Sequence, residues 1–482
     1  MTRDRSVVAW LAGLLCLALP AALVTGYTLD HFYTKGGFVW DSGLFAYFSV
    51  FTDQWPMLWP DFLHRDVAAP RTTFFSVHVM PIFYLASALH ALVPFLTPAA
   101  YFSLLQGLWT GALGLAAFML CGRAAGLGLA IATGLATALC GPMLAAMGLP
   151  HVEMAIPALL ALFFALRAGG RRLAAYVVLA LCLSIREDAG LHAAAYLILL
   201  VLAQWVSRAS REAVHANLVA VAVCLAYSAG ALALQHFVYP GTSSSLQRVL
   251  LGIPAGAHWT WQLVARRGPS FLVEWGYAVW PPLILMAVAL WRRSAVLLAG
   301  ALAPIPWVLF TLLMVPESGL TSYYGFPLVI AVAWPTMALP YDRFAVRLQL
   351  VLAAASILLF ATVGGPNHDR APWRSFVFSN FSVLGHYETV LRDAVSRRGE
   401  FGRLMLDDAV TSLVPEAAEL NEWTLQWAFD RLPNPDVVIY MQGGRDGGET
   451  AKVIAASGLG HTCRIADTPF MVASRNGTSL CR

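Results

Sequence analysis

Residues 171–206 read RRLAAYVVLALCLSIREDAGLHAAAYLILLVLAQWV. Two apolar runs, 172–185 and 190–206, flank the charged turn Arg186-Glu187-Asp188, and basic residues precede the first run. Runs of this kind are typical of membrane-spanning helices. Both are short, so we expect the turn to lie below the level of the lipid headgroups. An ionisable group at that depth costs about 2.5–3.5 kcal/mol on insertion scales, which favours a functional reason for its presence.

The composition of the whole chain supports this interpretation. Of its 482 residues 59% are apolar and 12% charged, whereas soluble globular proteins have roughly 45–50% apolar and about 25% charged residues. Such a chain cannot cover a water-facing surface. The composition therefore predicts an integral membrane protein and excludes a soluble enzyme, a nucleic-acid-binding module and a disordered scaffold. The net charge of +4 says little, because the position of each charge matters more in a membrane protein.

The charges predict two domains. From Gly364 onward 26 of 119 residues are charged, against 32 of the first 363. We therefore predict a mainly α-helical transmembrane domain at 1–363 and a small soluble α/β domain at 364–482. Apolar periodicity in the tail predicts helices at 387–398 and 450–457, and strands at 403–406, 436–440 and 470–473. Cys463 and Cys481 flank the last strand, where a disulfide is plausible in an oxidising compartment.

Arginine positions orient the predicted spans by the positive-inside rule. The first span is 7–27, a retained helix rather than a cleaved signal peptide. Ten further apolar runs follow, at 99–121, 125–148, 153–167, 172–185, 190–206, 212–238, 276–291, 294–315, 324–340 and 346–363. The arginines between them fall into five clusters: Arg123, Arg167/Arg171/Arg172, Arg208/Arg211, Arg292/Arg293 and Arg343/Arg347. If all five clusters are cytoplasmic, the chain has about eleven spans in a bacterial inner membrane, a cytoplasmic N-terminus and an extracytoplasmic tail. Residues 30–75 then form an outer loop with little helical patterning, and 76–97 are re-entrant or interfacial.

Asp41 is the first candidate for chemistry, because it lies among aromatic residues just outside the first span. Partial desolvation would raise the basicity of its carboxylate and suit a general base that takes a proton from an acceptor hydroxyl. The alternative is that Asp41 only caps a helix that starts at Ser42.

The turn Arg186-Glu187-Asp188 is the second candidate. Arg186 could bind a phosphate, while Glu187 and Asp188 could bind a sugar or a divalent metal ion. The alternative is an internal Arg–carboxylate pair that only neutralises the turn. Further candidates for substrate binding lie at predicted outer boundaries, although each is also typical of structural or anchoring roles: His78, His151, Glu153, Tyr323, Arg248 and Arg266.

Taken in order over residues 35–475, these motifs resemble a family of bacterial membrane proteins called domain of unknown function 2079. The matching segments are Asp41-Ser42-Gly43-Leu44-Phe45 for its Asp-Gly motif, Val77-His78-Val79-Met80-Pro81 for its His-x-x-Pro motif, His151-Val152-Glu153 for its Asp-Phe-His run, Arg186-Glu187-Asp188 for its Lys-Glu-Asp run, and Ser322-Tyr323-Tyr324 for its His-Tyr pair. The chain departs from the pattern after His78, lacks the Asp before His151 and has Tyr323 in place of His.

That family is in turn similar to the type C glycosyltransferase superfamily, whose members use polyprenyl-phosphate sugars as donors. The resemblance implies Asp41 as the catalytic base, and Arg186 or an arginine of the loop 239–275 as the group that holds the donor phosphate. The divalent metal, if one is used, has Asp41, Glu187 and Asp188 as candidate ligands. The expected partners are a polyprenyl-phosphate-linked sugar, an extracytoplasmic glycan, lipid or protein acceptor, and membrane lipids. A transporter or lipid flippase without catalytic activity is the alternative, and a scaffolding role of the tail is a third hypothesis.

Overall fold

The computed structural model describes residues 3–34, 40–58, 73–122, 124–146, 149–239, 268–269, 272–314, 322–363, 381–420, 435–441, 452 and 454–481. The chain is mainly helical with a small C-terminal sheet. The helices are α1 (Arg3–Tyr27), α2 (Trp40–Phe51), α3 (Ile82–His90), α4 (Pro98–Cys121), α5 (Leu127–Ala138), α6 (Gly141–Ala146), α7 (Ala155–Ala168), α8 (Arg172–Leu183), α9 (Ala189–Val206), α10 (Arg211–Ala233), α11 (Gly276–Trp291), α12 (Ala295–Leu302), α13 (Ile305–Met314), α14 (Phe326–Ala338), α15 (Arg343–Val363), α16 (Phe381–Ser396) and α17 (Asp408–Thr411).

Every predicted apolar run coincides with helix, but two of the runs contain a break. The run 125–148 divides into α5 and α6, and the run 294–315 divides into α12 and α13. The second helix of each pair has a proline, Pro142 or Pro306, as its second residue. Proline is tolerated in the first turn of a helix, where its missing N–H would have no partner, but it disrupts a helix interior.

Among the described residues, five helices are long and apolar enough to cross a membrane: Val7–Tyr33, Pro98–Cys121, Ala189–Val206, Arg211–Val238 and Arg343–Thr362. The first and fourth of these end in π-helical turns, Thr28–Tyr33 and Leu234–Val238. Six shorter apolar helices accompany them. By length and composition, the structure is therefore compatible with a multi-pass membrane protein.

The segment 30–75, predicted as an outer loop, contains the helix α2, which the sequence offered only in the alternative that Asp41 caps a helix starting at Ser42. α2 buries Phe45 and Phe48, and the ring of Phe48 lies 4.7 Å from that of Phe74 and 5.7 Å from that of Phe83. The prediction of a loop with little helical patterning was therefore wrong for residues 40–51, because the aromatic side chains of α2 supply a buried face. In the segment 76–97, α3 has nine residues. A helix of that length rises only about 13 Å, which is less than the thickness of a bilayer core.

The described residues pack into two compact units. One contains Met1–Val24, Phe75–Ile82 and Leu105–Arg374, and the other contains Thr25–Phe74, Phe83–Leu104 and Ser375–Arg482. The second unit thus includes residues from both of the domains predicted at 1–363 and 364–482.

In the first unit, four helical hairpins have their tips at one end. The Arg172 guanidinium binds Glu212 at 2.7 Å, which joins the α7–α8 tip to the α9–α10 tip. The Arg292 guanidinium lies 4.6 Å from the ring of Phe344, which joins the α11–α12 tip to the α14–α15 tip. Phe164 lies close to the C-terminal end of α7, and Trp334 lies close to that of α14. Their rings are 6.0 Å apart, so the α7–α8 and α14–α15 tips lie at the same end, and the tips joined to them lie there too.

The turn between α4 and α5 joins the same end. Tyr341 donates its backbone N–H to the carbonyl of Leu120 at 3.1 Å, and Arg343 Nε donates to the carbonyl of Ala124 at 2.9 Å. We call the end formed by these five tips the basic end, because the predicted arginine clusters lie there. Arg123 lies outside the described residues.

In the second unit, a four-stranded sheet comprises β1 (Leu404–Leu406), β2 (Val437–Met441), β3 (His461–Arg464) and β4 (Phe470–Ser474), in the order β1-β2-β4-β3. β1 and β2 are parallel, and the other pairs are antiparallel. The predicted strands at 403–406, 436–440 and 470–473 are confirmed, as is the helix predicted at 387–398, which is α16. β3 was missed because its residues, HTCR, are polar and mostly exposed at the edge of the sheet. Cys463 on β3 is disulfide-bonded to Cys481.

Glu388 on α16 is a buried carboxyl in this unit. Its Oε1 atom has no hydrogen-bond partner among the described residues. Burial raises the pKa of the Glu388 carboxyl. A hydrogen bond from Thr97 and the positive charge of Arg392 lower it by less, so the pKa remains above its ordinary value. The physical cause is desolvation, which disfavours the charged carboxylate.

Candidate functional site

Three segments that are distant in sequence meet in the first unit. They are residues 78–79, the 3-10 turn at 151–154 that precedes α7, and the turn at 184–188 between α8 and α9. The turn is fixed to the first segment by a backbone hydrogen bond of 3.0 Å from Ile82 N–H to the Ser184 carbonyl. The cluster lies at the opposite end of α7, α8 and α9 from the basic end, because it contains the start of α7, the end of α8 and the start of α9.

Arg186 lies at the centre of this cluster and is buried. Its Nε donates to Asp188 Oδ1 at 2.7 Å and its Nη2 to Asp188 Oδ2, so the two side chains form a bidentate pair. Its Nη1 donates to Glu153 Oε1. One guanidinium therefore neutralises two carboxylates, in the fork geometry that makes such pairs strong.

Glu187 points to a different partner. Its Oε1 lies 2.9 Å from His78 Nδ1, and its Oε2 accepts the backbone N–H of Val79 at 3.0 Å. The backbone on this side is held further by Gln235, whose Nε2 donates to the Val77 carbonyl at 3.1 Å. The side chain of Glu187 is nearly inaccessible, whereas that of His78 is 18% exposed.

Two more histidines complete the cluster. His151 Nδ1 contacts Glu153 Oε2, and its carbonyl accepts from Gln106 Nε2 at 3.0 Å. His192 Nε2 lies 3.7 Å from Asp188 Oδ2. Sequence analysis did not single out His192, although its position four residues after Asp188 on a helix was a usable signal, since residues four apart share a helix face.

His192 also lies against aromatic rings. Its imidazole is 4.8 Å from the ring of Trp307 and 4.7 Å from that of Phe326, both in edge-to-face arrangements. Trp307 is fixed by its indole N–H, which donates to the Tyr324 carbonyl at 2.8 Å. The aromatic side chains thus limit the positions available to His192 beside Asp188.

The electrostatics of the cluster follow from its composition. Each of three carboxylates, Glu153, Glu187 and Asp188, is paired with one histidine, and Arg186 connects two of the three pairs. Burial acts to raise the pKa of the Asp188 carboxyl, but the charge of Arg186 and hydrogen bonds from Arg186 and His192 outweigh it and hold that pKa well below its usual range. Buried charges persist only when they are paired and hydrogen-bonded, and these charges are.

A glycine allows the turn to lie close to the neighbouring helix. A Cβ atom at Gly190 would lie 2.2 Å from the carbonyl oxygen of Cys224 and 2.5 Å from Ser228 Oγ on α10. Only glycine permits this approach, and the close packing fixes the start of α9, which carries Asp188 and His192.

Among the predicted site residues, the structure brings together Arg186, Glu187, Asp188, His78, His151 and Glu153. Asp41 lies in the first turn of α2, in the other unit, and Tyr323 lies in the 3-10 turn Ser322–Gly325; the side chains of both lie outside the described part. Arg248 and Arg266 also lie outside the described residues.

The geometry does not suit a metal ion at Glu187 and Asp188. Within the described residues, no group of three or more His, Cys, Asp or Glu side chains is arranged to hold a metal. The physical reason is that both oxygens of Glu187 already contact His78 and Val79, and both oxygens of Asp188 contact Arg186. The alternative that Arg186 forms an internal Arg–carboxylate pair agrees with the observed contacts.

No protein-family model matches the chain, and no curated protein matches its sequence at a significant level. The function therefore has to be argued from the residues and their arrangement.

Proposed function

We propose that this protein is an integral membrane glycosyltransferase of the type C kind, which transfers a sugar from a polyprenyl-phosphate donor to an extracytoplasmic acceptor. In this proposal the chain crosses a bacterial inner membrane about eleven times, with a cytoplasmic N-terminus and the C-terminal domain in the periplasm. The basic end faces the cytoplasm, and the His–carboxylate cluster faces outward.

The observation that supports the proposal is the convergence of the motif residues. His78, the pair His151/Glu153 and the turn Arg186-Glu187-Asp188 were singled out separately by sequence resemblance, and His78 is 109 positions from its partner Glu187. These residues form one buried cluster at a single end of the helices. Ionisable groups are costly in a membrane protein, so a converging set of six is expected to serve substrate binding or catalysis.

The roles follow from exposure. His78 and His192 are the more accessible members of the cluster, with side chains 18% and 14% exposed. Each lies beside a carboxylate that orients its ring. We assign to them hydrogen bonds with sugar hydroxyls or the donor phosphate, whereas Glu153 and Asp188 hold Arg186 in place.

Arg186 is poorly suited to hold the donor phosphate, because its guanidinium is already neutralised by two carboxylates. Of the two alternatives implied by the resemblance, we therefore favour an arginine of the loop 239–275, such as Arg248 or Arg266, for the donor phosphate. Asp41 is assigned as the general base that accepts the proton of the acceptor hydroxyl.

The test is transfer from a radiolabelled polyprenyl-phosphate sugar by the purified chain in detergent, with an envelope extract as acceptor. Asp41→Asn is expected to abolish transfer while the protein still expresses and remains folded. Asp53→Asn is the matched control, because Asp53 is an exposed carboxylate close to the end of the same helix. Full activity of Asp41→Asn would refute the assignment of the base.

Donor binding is tested separately by native mass spectrometry with polyprenyl phosphate. Arg248→Gln or Arg266→Gln is expected to weaken binding, whereas Asp41→Asn should retain it. If wild-type protein binds no polyprenyl phosphate, the transferase proposal fails.

One observation favours a transporter as the second candidate. Every carboxylate of the cluster is paired with a histidine, and His–carboxylate chains within membrane proteins are typical of proton relays in transporters. A transporter predicts solute or lipid movement in proteoliposomes without formation of a glycosidic bond, and it predicts that Asp41→Asn leaves this movement intact.

A further inference from the structure

The arginines of the basic end differ in their partners. Arg172 is paired with Glu212 at 2.7 Å. Where the α4–α5, α11–α12 and α14–α15 tips converge, four arginines have no ion pair with any described residue: Arg292, Arg293, Arg343 and Arg347. At the other two tips, Arg171, Arg208 and Arg211 also have no ion pair with a described residue. The nearest described carboxylate in sequence, Asp342, has its Oδ1 accepting the Ala345 N–H at 2.8 Å as the cap of α15. This group of four arginines, here called the arginine notch, therefore has an excess of positive charge.

Aromatic rings hold one of these arginines in place. The Arg292 guanidinium lies 4.6 Å from the Phe344 ring and 5.8 Å from the Trp291 ring. Cation–π contacts of this kind restrict the guanidinium without neutralising it. All four arginines are exposed, so their remaining N–H groups can reach an anion.

The backbone conformation of Arg293 is unusual. Arg293 has φ 49°, a left-handed conformation that glycine adopts easily and an L side chain adopts at a cost. At the equivalent tip after α7 the chain has Gly170, with φ 79°. Arg208 at the α9–α10 tip shares this conformation, with φ 55°, so the backbone alone does not distinguish the notch.

The surroundings identify the kind of anion. Immediately before the arginines, Leu290 and Trp291 are 61% and 75% exposed, and both belong to an apolar helix. Exposed apolar side chains next to exposed arginines are typical of the boundary between lipid tails and headgroups. A membrane-surface anion fits this boundary better than a soluble one.

We propose that the arginine notch binds the headgroup of an anionic phospholipid, such as phosphatidylglycerol, through Arg292, Arg293 and Arg347. This site is distinct from the His–carboxylate cluster, because the basic end and the cluster lie at opposite ends of α7, α8 and α9. It does not depend on whether the protein is a transferase or a transporter.

The experiment measures lipid binding to the full chain in a neutral detergent by native mass spectrometry, with phosphatidylglycerol and phosphatidylcholine of identical acyl chains. Wild-type protein is expected to bind phosphatidylglycerol preferentially. Each arginine near an anionic surface contributes about five-fold in affinity, so Arg292→Gln/Arg347→Gln should weaken binding of phosphatidylglycerol about 25-fold. The matched control is Arg172→Gln, which removes an exposed arginine of the same end that is already paired with Glu212, and it should change binding less than about two-fold.

Arg293→Gly separates binding from folding. Glycine removes the strained side chain, so the variant is expected to unfold at the same or a higher temperature than wild type while binding phosphatidylglycerol about five-fold more weakly. Equal losses in the notch variant and the control variant would overturn the proposal, because they would indicate only a diffuse positive end. Equal binding of the two lipids by wild type would also overturn it.

Discussion

The ion pair between Arg186 and Glu153 gives a quantitative test of the buried cluster. Both side chains are buried, and Arg186 also binds Asp188 through two nitrogen atoms. Replacing Arg186 with Gln leaves two carboxylates without their counter-charge. Replacing Glu153 with Gln leaves Arg186 still paired with Asp188, so we expect the second change to be the milder one.

The magnitudes follow from burial. Removing one partner of a buried ion pair costs about 3–5 kcal/mol, and we expect Arg186→Gln to fall in this range. In the double variant Arg186→Gln/Glu153→Gln one of the stranded carboxylates is gone. The free energies of unfolding should therefore be non-additive, by about 2–3 kcal/mol, which is the upper part of the range for residues in direct contact.

The chain contains a matched control for this experiment. Arg172 and Glu212 also form an Arg–Glu pair, with a distance of 2.7 Å, but their side chains are 79% and 78% exposed. Exposed pairs contribute about 0.2–1 kcal/mol, because water and salt screen them. A double-mutant cycle on Arg172→Gln and Glu212→Gln should therefore give a coupling well below that of the buried pair.

The assay is equilibrium unfolding of the full chain in mixed detergent micelles, followed by far-UV circular dichroism at constant pH. If Arg186→Gln destabilises the protein by no more than Arg172→Gln, the buried cluster is not held together by charge pairing. The inference that Arg186 is occupied by carboxylates, and hence unsuited to a donor phosphate, would then be refuted.

Three further predictions concern packing, pH and covalent structure. Gly190→Ala should lower the free energy of unfolding by about 1–3 kcal/mol, because the added methyl group would overpack against α10. Gly230→Ala is the control and should not destabilise the protein, because a Cβ atom there meets nothing within 4 Å. Equal effects of the two variants in chemical unfolding would contradict the close approach at Gly190. Because the pKa of Glu388 is raised, its protonated form favours the folded state, so this contribution is present below the unfolded pKa and is lost as pH rises through the folded pKa. Glu388→Gln should therefore raise the melting temperature at pH 7 to 8 and lose this advantage in acid; a gain independent of pH would argue against an ionised buried Glu388. Cys463→Ser removes the disulfide with Cys481, which is 18 positions away, and should destabilise the C-terminal sheet by about 3 kcal/mol. An unchanged denaturation midpoint of this variant would refute the prediction.

Most of the helices could be predicted from the sequence, because an apolar run is a property of neighbouring residues. Apolar runs and the arginines between them predicted the eleven helical segments, since the hydrophobicity of a run does not depend on distant residues. α2 was expected only in the alternative that Asp41 caps a helix starting at Ser42, and the reason is not local. Its aromatic face is recognisable only when Phe74 and Phe83 pack against it, and both residues follow in other segments of the chain.

The site was predictable in part. His78, His151 and Arg186 could each be singled out, but each was also compatible with a structural role. What sequence could not show was that Glu187 contacts His78, 109 positions away, or that Arg186 is divided between Glu153 and Asp188. His192 was missed although its spacing of four residues from Asp188 was a signal, and its aromatic neighbours became known only from the structure.

By itself, then, the sequence determined the class of structure: an apolar helical chain with charged turns and a more polar tail with strands, because composition and periodicity are local properties. The tertiary structure alone decided which charges are neutralised and which remain available. Arg186 and Arg292 are both arginines beside apolar helices, yet the first is buried between two carboxylates and the second is exposed with none. That difference arises from contacts between distant segments, and it determines which of the two can bind an anion.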